Sequence, residues 1–272
     1  MHFLPRGLKE DKSIGKIPLL IFGNEIEEVT ETKFLGVTID NQLSWESHIN
    51  ILHKRLKCSA GQLNHIIDLI PENLHKSIYH TLYESHLAYG ITVWGGVSLA
   101  RLRPLFKAQK HCIRILFGDR KKYVDKFKTS ARARPYLQQK LGQEFYQKEH
   151  SKPIFNEKQI LTVHNLYKYQ MIFSTFKILK LRTPIAMHNC FKISHRKEYL
   201  LHMPINASEN FLYKASSLWL KFLTCPQGSI FKDLTAGLGC IKLKIKELIL
   251  CRQKMGDQNE WCEETNFNLN QD

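Results

Sequence analysis

Leu99-Ala100-Arg101-Leu102-Arg103-Pro104-Leu105-Phe106-Lys107-Ala108-Gln109-Lys110-His111-Cys112-Ile113-Arg114-Ile115-Leu116-Phe117-Gly118 separates into two faces when wound at the helical period. Leu102, Leu105, Phe106, Gln109, Ile113 and Leu116 turn inward, and Gly118 supplies the stop. Lys107, Lys110, His111 and Arg114 share another face at i, i+3, i+4, i+7, opposite much of the apolar stripe. One side of this helix belongs to a core. The other belongs to solvent or to a polyanion.

The same period governs the chain upstream. Ile49, Leu52, Leu56, Ala60, Leu63 and Ile67 recur at three and four residues, with Ser44 as the expected N-cap. Pro71 suits the first position of a second helix, whose inner stripe is expected to be Leu74, Ile78, Leu82 and Ser85. Three amphipathic helices with short links predict a compact helical unit. Before them, Ile17 to Val29 predicts strands joined at Gly23-Asn24 in a type II′ turn, and Lys33 to Asp40 is a second β-prone run. Downstream, residues 119–158 read as a basic linker carrying Pro135 and Pro153. A second helical region follows, with Val163, Leu166, Tyr167, Tyr169, Ile172, Phe173, Phe176 and Leu179 covering most of one helix. Residues 185–229 show no clear period. Phe231, Leu234, Leu238, Ile241, Ile245 and Leu248 then form a last stripe. The fold class is therefore mainly α, with short N-terminal strands.

The chain of 272 residues carries a net charge of +15. From Gly256 onward there is no Lys or Arg, and there are five acids, so the body before that tail is more basic still, and the tail is expected to be disordered. A basic body suits a polyanion, because each cation that neutralises a phosphate releases condensed counterions. Seven scattered cysteines and no secretory leader predict free thiols in cytoplasm or nucleus, not secretion. The run Leu87 to Ala100 is too short to span a bilayer, so no membrane role is expected.

Catalytic patterns are missing from the sequence. There is no phosphate-cradling glycine loop, no Gly-x-Ser-x-Gly elbow, no Cys-x-x-Cys and no His-Glu-x-x-His. His188, Cys190, His195 and His202 lack the close-set thiolates of a zinc site. Asp40, Asp68 and Asp125 stand alone, whereas two-metal chemistry needs clustered acids. Neither a small-molecule substrate nor a cofactor is expected.

Five blocks, in order, resemble the C-terminal part of jockey-like non-LTR retrotransposon reverse transcriptases. Lys33-Phe34-Leu35-Gly36-Val37-Thr38-Ile39-Asp40, with Leu43-Ser44-Trp45 and His48-Ile49, is similar to that family's "FLGV-x-(I/L)-D … L-(S/T)-W … H-I" block. Tyr89-Gly90-Ile91-Thr92-Val93-Trp94-Gly95 resembles its "YG-x-x-x-WG" segment. Leu105, Gln109-Lys110 and Ile113-Arg114-Ile115 look like the helix after it. Leu161 to Tyr167 and Ser216-Ser217-Leu218-Trp219 look like the C-terminal extension.

The resemblance implies a fragment of an RNA-directed DNA polymerase from a transposable element. Residues 1–40 would be residual palm strands, 41–118 a helical thumb, 119–158 a linker, 159–255 a C-terminal helical region and 256–272 the acidic tail. It implies that Lys33, Phe34, Leu35 and Gly36 form a primer-grip-like hairpin. There, glycine would let backbone approach phosphate while Lys33 supplied charge. Plain strand packing is the competing reading for Phe34 and Leu35. Lys107, Lys110, His111 and Arg114 would lie along a primer–template backbone, against the competing reading of a solvated basic face.

The family's metal-holding carboxylates lie upstream of this hairpin, so divalent metals would belong only to a full-length parent. This stretch alone is expected to be inactive as a polymerase. Its expected partners are RNA, DNA or an RNA–DNA hybrid, bound without sequence preference. The alternative is a basic helical module that binds proteins.

Overall fold

A computed structural model describes Met1, Phe3 and residues 20–118, 151–194, 197–203, 211–224 and 237–255. The molecule is mainly helical, with short antiparallel strand pairs, as its periodicity predicts.

Strands β1 (Leu20–Ile21) and β2 (Asn24–Glu25) form one hairpin, and β3 (Glu31–Phe34) and β4 (Val37–Asp40) another. Ile21 pairs with Asn24, so the first loop is Phe22-Gly23 rather than Gly23-Asn24. Phe22 at φ 50° and Gly23 at φ 81° give the two positive angles that a type I′ turn requires. Leu35 (φ 45°) and Gly36 (φ 80°) repeat this arrangement between β3 and β4. The expected strand residues before Leu20 lie outside the described residues.

Helix α1 (Glu46–Ile66) buries the predicted stripe from Ile49 to Leu63, and Ile67 follows in a short 3-10 turn (Ile67–Leu69). Its entry differs from expectation. Trp45, not Ser44, precedes the helix, in the left-handed conformation at φ 63°. The orphan amides of the first turn are satisfied from the preceding strand. One Asp40 carboxylate oxygen accepts from Ser44 N–H (2.8 Å), the other from Trp45 N–H (2.8 Å). Burial would raise the Asp40 carboxyl, but these bonds outweigh it and hold its pKa below the ordinary value.

Helix α2 (Glu72–Ile78) runs through a π-helical turn (Tyr79–Glu84) into α3 (Ser85–Ala88). Here the expected inner stripe holds only at Ile78, which is half-buried against the core. Leu74, Leu82 and Ser85 are exposed, and His75, Tyr79, Tyr83 and Leu87 are buried. Those four repeat every fourth residue. The wider π turn holds that interval on one face, where an unbroken α-helix would rotate it away.

After α4 (Ile91–Trp94), α5 (Leu99–Phe117) packs beside α1 with Leu102, Leu105, Gln109, Ile113 and Leu116 buried as predicted. Of the expected linker, residues 119–150 lie outside the described set, and Ser151 opens α6 (Lys152–Glu157) with Pro153 in its first turn. Then come α7 (Val163–Leu181), α8 (Ile185–Cys190), β5 (Ile193–Ser194) paired with β6 (Lys197–Leu201), α9 (Phe211–Leu223) and α10 (Leu238–Met255). Helix α9 falls within the stretch 185–229 that shows no clear period, and its Trp219 Nε1–H donates to Tyr199 O at 2.7 Å. Phe231, Leu234 and the acidic tail lie outside the described residues.

The helices on both sides of residues 119–150 share one core, running from Ile49 to Leu250. Helix α7 is buried nearly all round because α5 and α4 cover one side and α9 and α10 the other. Between α6 and α7 the chain is non-helical and buried, so its backbone groups need partners. Two buried glutamines provide them. Gln109 Nε2 donates to Leu161 O (2.8 Å) and its Oε1 accepts from Val163 N–H (2.9 Å). Gln253 Nε2 donates to Ile160 O (2.9 Å) and its Oε1 accepts from Thr162 N–H (3.1 Å). Gln109 also donates to the Tyr79 hydroxyl at 2.8 Å, linking the π turn to the same centre.

Gln109→Leu keeps the volume but orphans Leu161 O and Val163 N–H, each costing about 1–3 kcal/mol in a dry core. Urea unfolding should show a loss of about 2–5 kcal/mol, whereas Leu74→Ser on the outward face of α2 should cost less than about 1 kcal/mol. Similar losses at both positions would contradict the assigned helix phase.

Candidate nucleic-acid interface

The cationic face of α5 is where the sequence places it. Lys107 is exposed, and Lys110, His111 and Arg114 are half-buried along the side of the helix turned from the core. Arg103, one turn before Lys107, is also exposed and continues the line at the same spacing. The helix holds five cations and no acid. Lys110 Nζ lies 4.5 Å from the Phe106 ring centroid, so an aromatic face supports one cation of the stripe.

Arg101 donates to Ser44 O (2.7 Å) at the entry of α1. Two to three turns further on, His111 lies within the field of Lys57 from α1. The two helices therefore run in the same direction, and Lys57 broadens the basic stripe sideways. Burial, then Arg114, then Lys57 lower the pKa of His111, so it enters the stripe as a neutral ring at neutral pH. Arg103 was within reach of the sequence reading, one period upstream of Lys107. Lys57 was not, because its place depends on how two helices pack.

The second group of expected residues occupies the β3–β4 hairpin at the α1-entry end. Lys33 is exposed on β3 opposite Thr38, and Phe34 (62% exposed) and Leu35 (74%) form the tip. Gly36 does not face open space. A Cβ there would meet the Tyr89 ring at 3.4 Å, and the Tyr89 hydroxyl donates to Leu35 O at 2.6 Å. The glycine serves the turn and its seat on Tyr89.

Below the tip, Thr38 N–H donates to His48 Nδ1 (3.3 Å), which leaves the His48 proton on Nε2. The His48 ring lies 5.5 Å from Trp94, and Trp94 Nε1–H donates to Tyr89 O at 2.9 Å. Val37 approaches Gly90, where a Cβ would be 3.3 Å from its methyl. The two most distinctive sequence blocks, residues 33–49 and 89–95, thus pack against each other.

Among the described residues no group of three His, Cys, Asp or Glu side chains could hold a metal ion. Cys190 is exposed, and His195 lies outside the described residues. No described helix is long and apolar enough to cross a membrane. No known protein family, curated protein or solved structure matches the chain.

At the edge of the stripe His164 packs 5.5 Å from Phe106, and its Nδ1 has no hydrogen-bond partner among the described residues. Burial, with Lys168 assisting, pushes its pKa down to about 4. Below about pH 6.5 the unfolded ring takes up a proton that the folded ring refuses, so this group removes stability as pH falls toward 4 and costs nothing above that window. Urea midpoints at several pH values should show this acid loss, of order 1–3 kcal/mol, and His164→Gln should flatten it. Equal slopes for both proteins would contradict the assignment.

Tyr89→Phe removes one hairpin bond and should cost about 0.5–1.5 kcal/mol. Gly36→Ala meets both a positive φ and the Tyr89 ring, and should cost about 1–2 kcal/mol. Hydrogen exchange at Thr38 should quicken in both variants, and unchanged protection would contradict the seat.

Proposed function

We propose that this chain binds nucleic-acid backbone without sequence preference, through the stripe Arg103, Lys107, Lys110 and Arg114 on α5, as the thumb-like portion of a non-LTR retrotransposon reverse transcriptase. The observation that carries the reading is a helix face with cations at successive turns and no acid anywhere in the helix. From Arg103 to Arg114 the stripe is roughly 16 Å long at 1.5 Å per residue, about five base pairs of duplex. Point charges on flexible stems, backed by a rigid helix, fix register on phosphates but read no bases.

The hairpin tip would meet the same ligand at the end of the stripe where Arg101 joins Ser44. The packing of residues 33–49 against 89–95 supports the family reading, because it gives their sequence pattern a shared physical purpose. No polymerisation is assigned to this stretch. Asp40, at the end of β4, spends its oxygens on the amides that open α1. The chain is read as intracellular, in cytoplasm or nucleus.

The test is binding of the full chain to a labelled RNA–DNA hybrid across a salt series. Affinity should fall steeply with salt, and Lys107→Ala, Lys110→Ala and Arg114→Ala together should reduce the log–log slope by about 2–3. A folded protein that fails to bind, or binds with no salt dependence, would overturn the proposal.

A further inference from the structure

The first hairpin and the segment after it stand apart from the body in both exposure and charge. Every residue from Leu20 to Gly36 is exposed. Phe22, at the tip, is 100% exposed, and Leu20, Ile21, Ile26 and Val29 also show apolar surface. An apolar arm held in water is an unstable arrangement without a partner. The same arm carries Glu25, Glu27, Glu28 and Glu31 and no cation between Leu20 and Thr32, in a protein whose net charge is +15. Its partner must therefore be basic, with apolar side chains among its cations.

The chain itself carries such a surface. On α5, exposed Leu99 lies one turn before Arg103 and two before Lys107. On α1, exposed Lys54 and Lys57 lie one turn apart, and the field of Lys57 reaches His111 of α5. The arm does not lie on its own copy of this surface, since Phe22 is fully exposed.

We propose that the acidic apolar arm Leu20–Glu31 of one molecule docks on the α1–α5 basic face of a second copy, with Phe22 against Leu99 and the glutamates facing the cations. The contact is heterologous, because arm and face are different surfaces, so it builds head-to-tail chains unless a rotation closes them. It is independent of the nucleic-acid reading, although both use the same cations and a bound polyanion would compete with the arm.

The test is sedimentation of the full chain, free of nucleic acid, over a concentration series at low and high salt. Association should weaken by at least about tenfold between 50 and 300 mM salt, because exposed charges are screened. Glu25→Lys with Glu27→Lys should abolish it, as should Arg103→Glu with Lys107→Glu. Mixing the two reversed proteins should restore it, which neither misfolding nor general stickiness would do. Far-UV spectra confirm that both variants fold.

A single monomeric mass at every concentration would overturn the proposal and leave the arm to some other basic partner. Association indifferent to salt and to both reversals, or a mixture that fails to reassociate, would overturn it equally. Because no nucleic acid is present, none of these outcomes bears on hybrid binding.

Discussion

A buried stretch of non-helical backbone cannot exist without partners, and residues 160–162, leading into α7, place such a stretch at the meeting point of α5, α7 and α10. Unlike a strand in a sheet, it has no neighbouring strand. Side-chain amides stand in for one, Gln253 serving Ile160 and Thr162, and Gln109 serving Leu161 and Val163. A glutamine amide carries the same donor and acceptor as a peptide, so each reproduces one rung of a ladder from within a helix. Hydrophobic burial alone would allow the helices to slide. The two amides fix their register, because a displaced helix would strand several polar groups at once.

Around the hairpin the same logic works at smaller scale. Asp40 ends a strand and opens a helix, Tyr89 holds the turn by its carbonyl, and His48 receives the Thr38 N–H. Each contact ties a strand group to a helix group, so a two-strand hairpin, marginal alone, is held in one orientation. That orientation points Lys33, Phe34 and Leu35 outward at the end of a line of cations.

Much of this was legible in the sequence. The α1 and α5 stripes are visible because their periods are unbroken and their inward residues are apolar. Gln109 could be placed inward by spacing, but not explained, since its partners lie some fifty residues away. The phase of α2 was not legible. A π turn alters the period without any glycine or proline to announce it, so Leu74 and Leu82 take the outward place that simple winding gives to His75 and Tyr83. Helix α9 has an apolar spacing that could have been found, with Ala215, Leu218, Trp219 and Phe222 inward. Its brevity and the aperiodic sequence before it hid the pattern. At the site, the α5 cations required only one helix and were found. Lys57 required two helices in a known packing, and Tyr89 required a hairpin folded onto a helix more than fifty residues later.

The separation of Gln253 from its partners also orders events in time. The pairing of β3 with β4 is local and can form early, as low contact order favours. The amides of residues 160 and 162 wait for a helix whose key residue lies 91–93 positions further along. At about 5–20 residues per second, a ribosome needs roughly 5–20 s to deliver it. Throughout that interval Ile160 O and Thr162 N–H lack the partner that the finished fold gives them, and unpaired backbone of this kind is what chaperones shield.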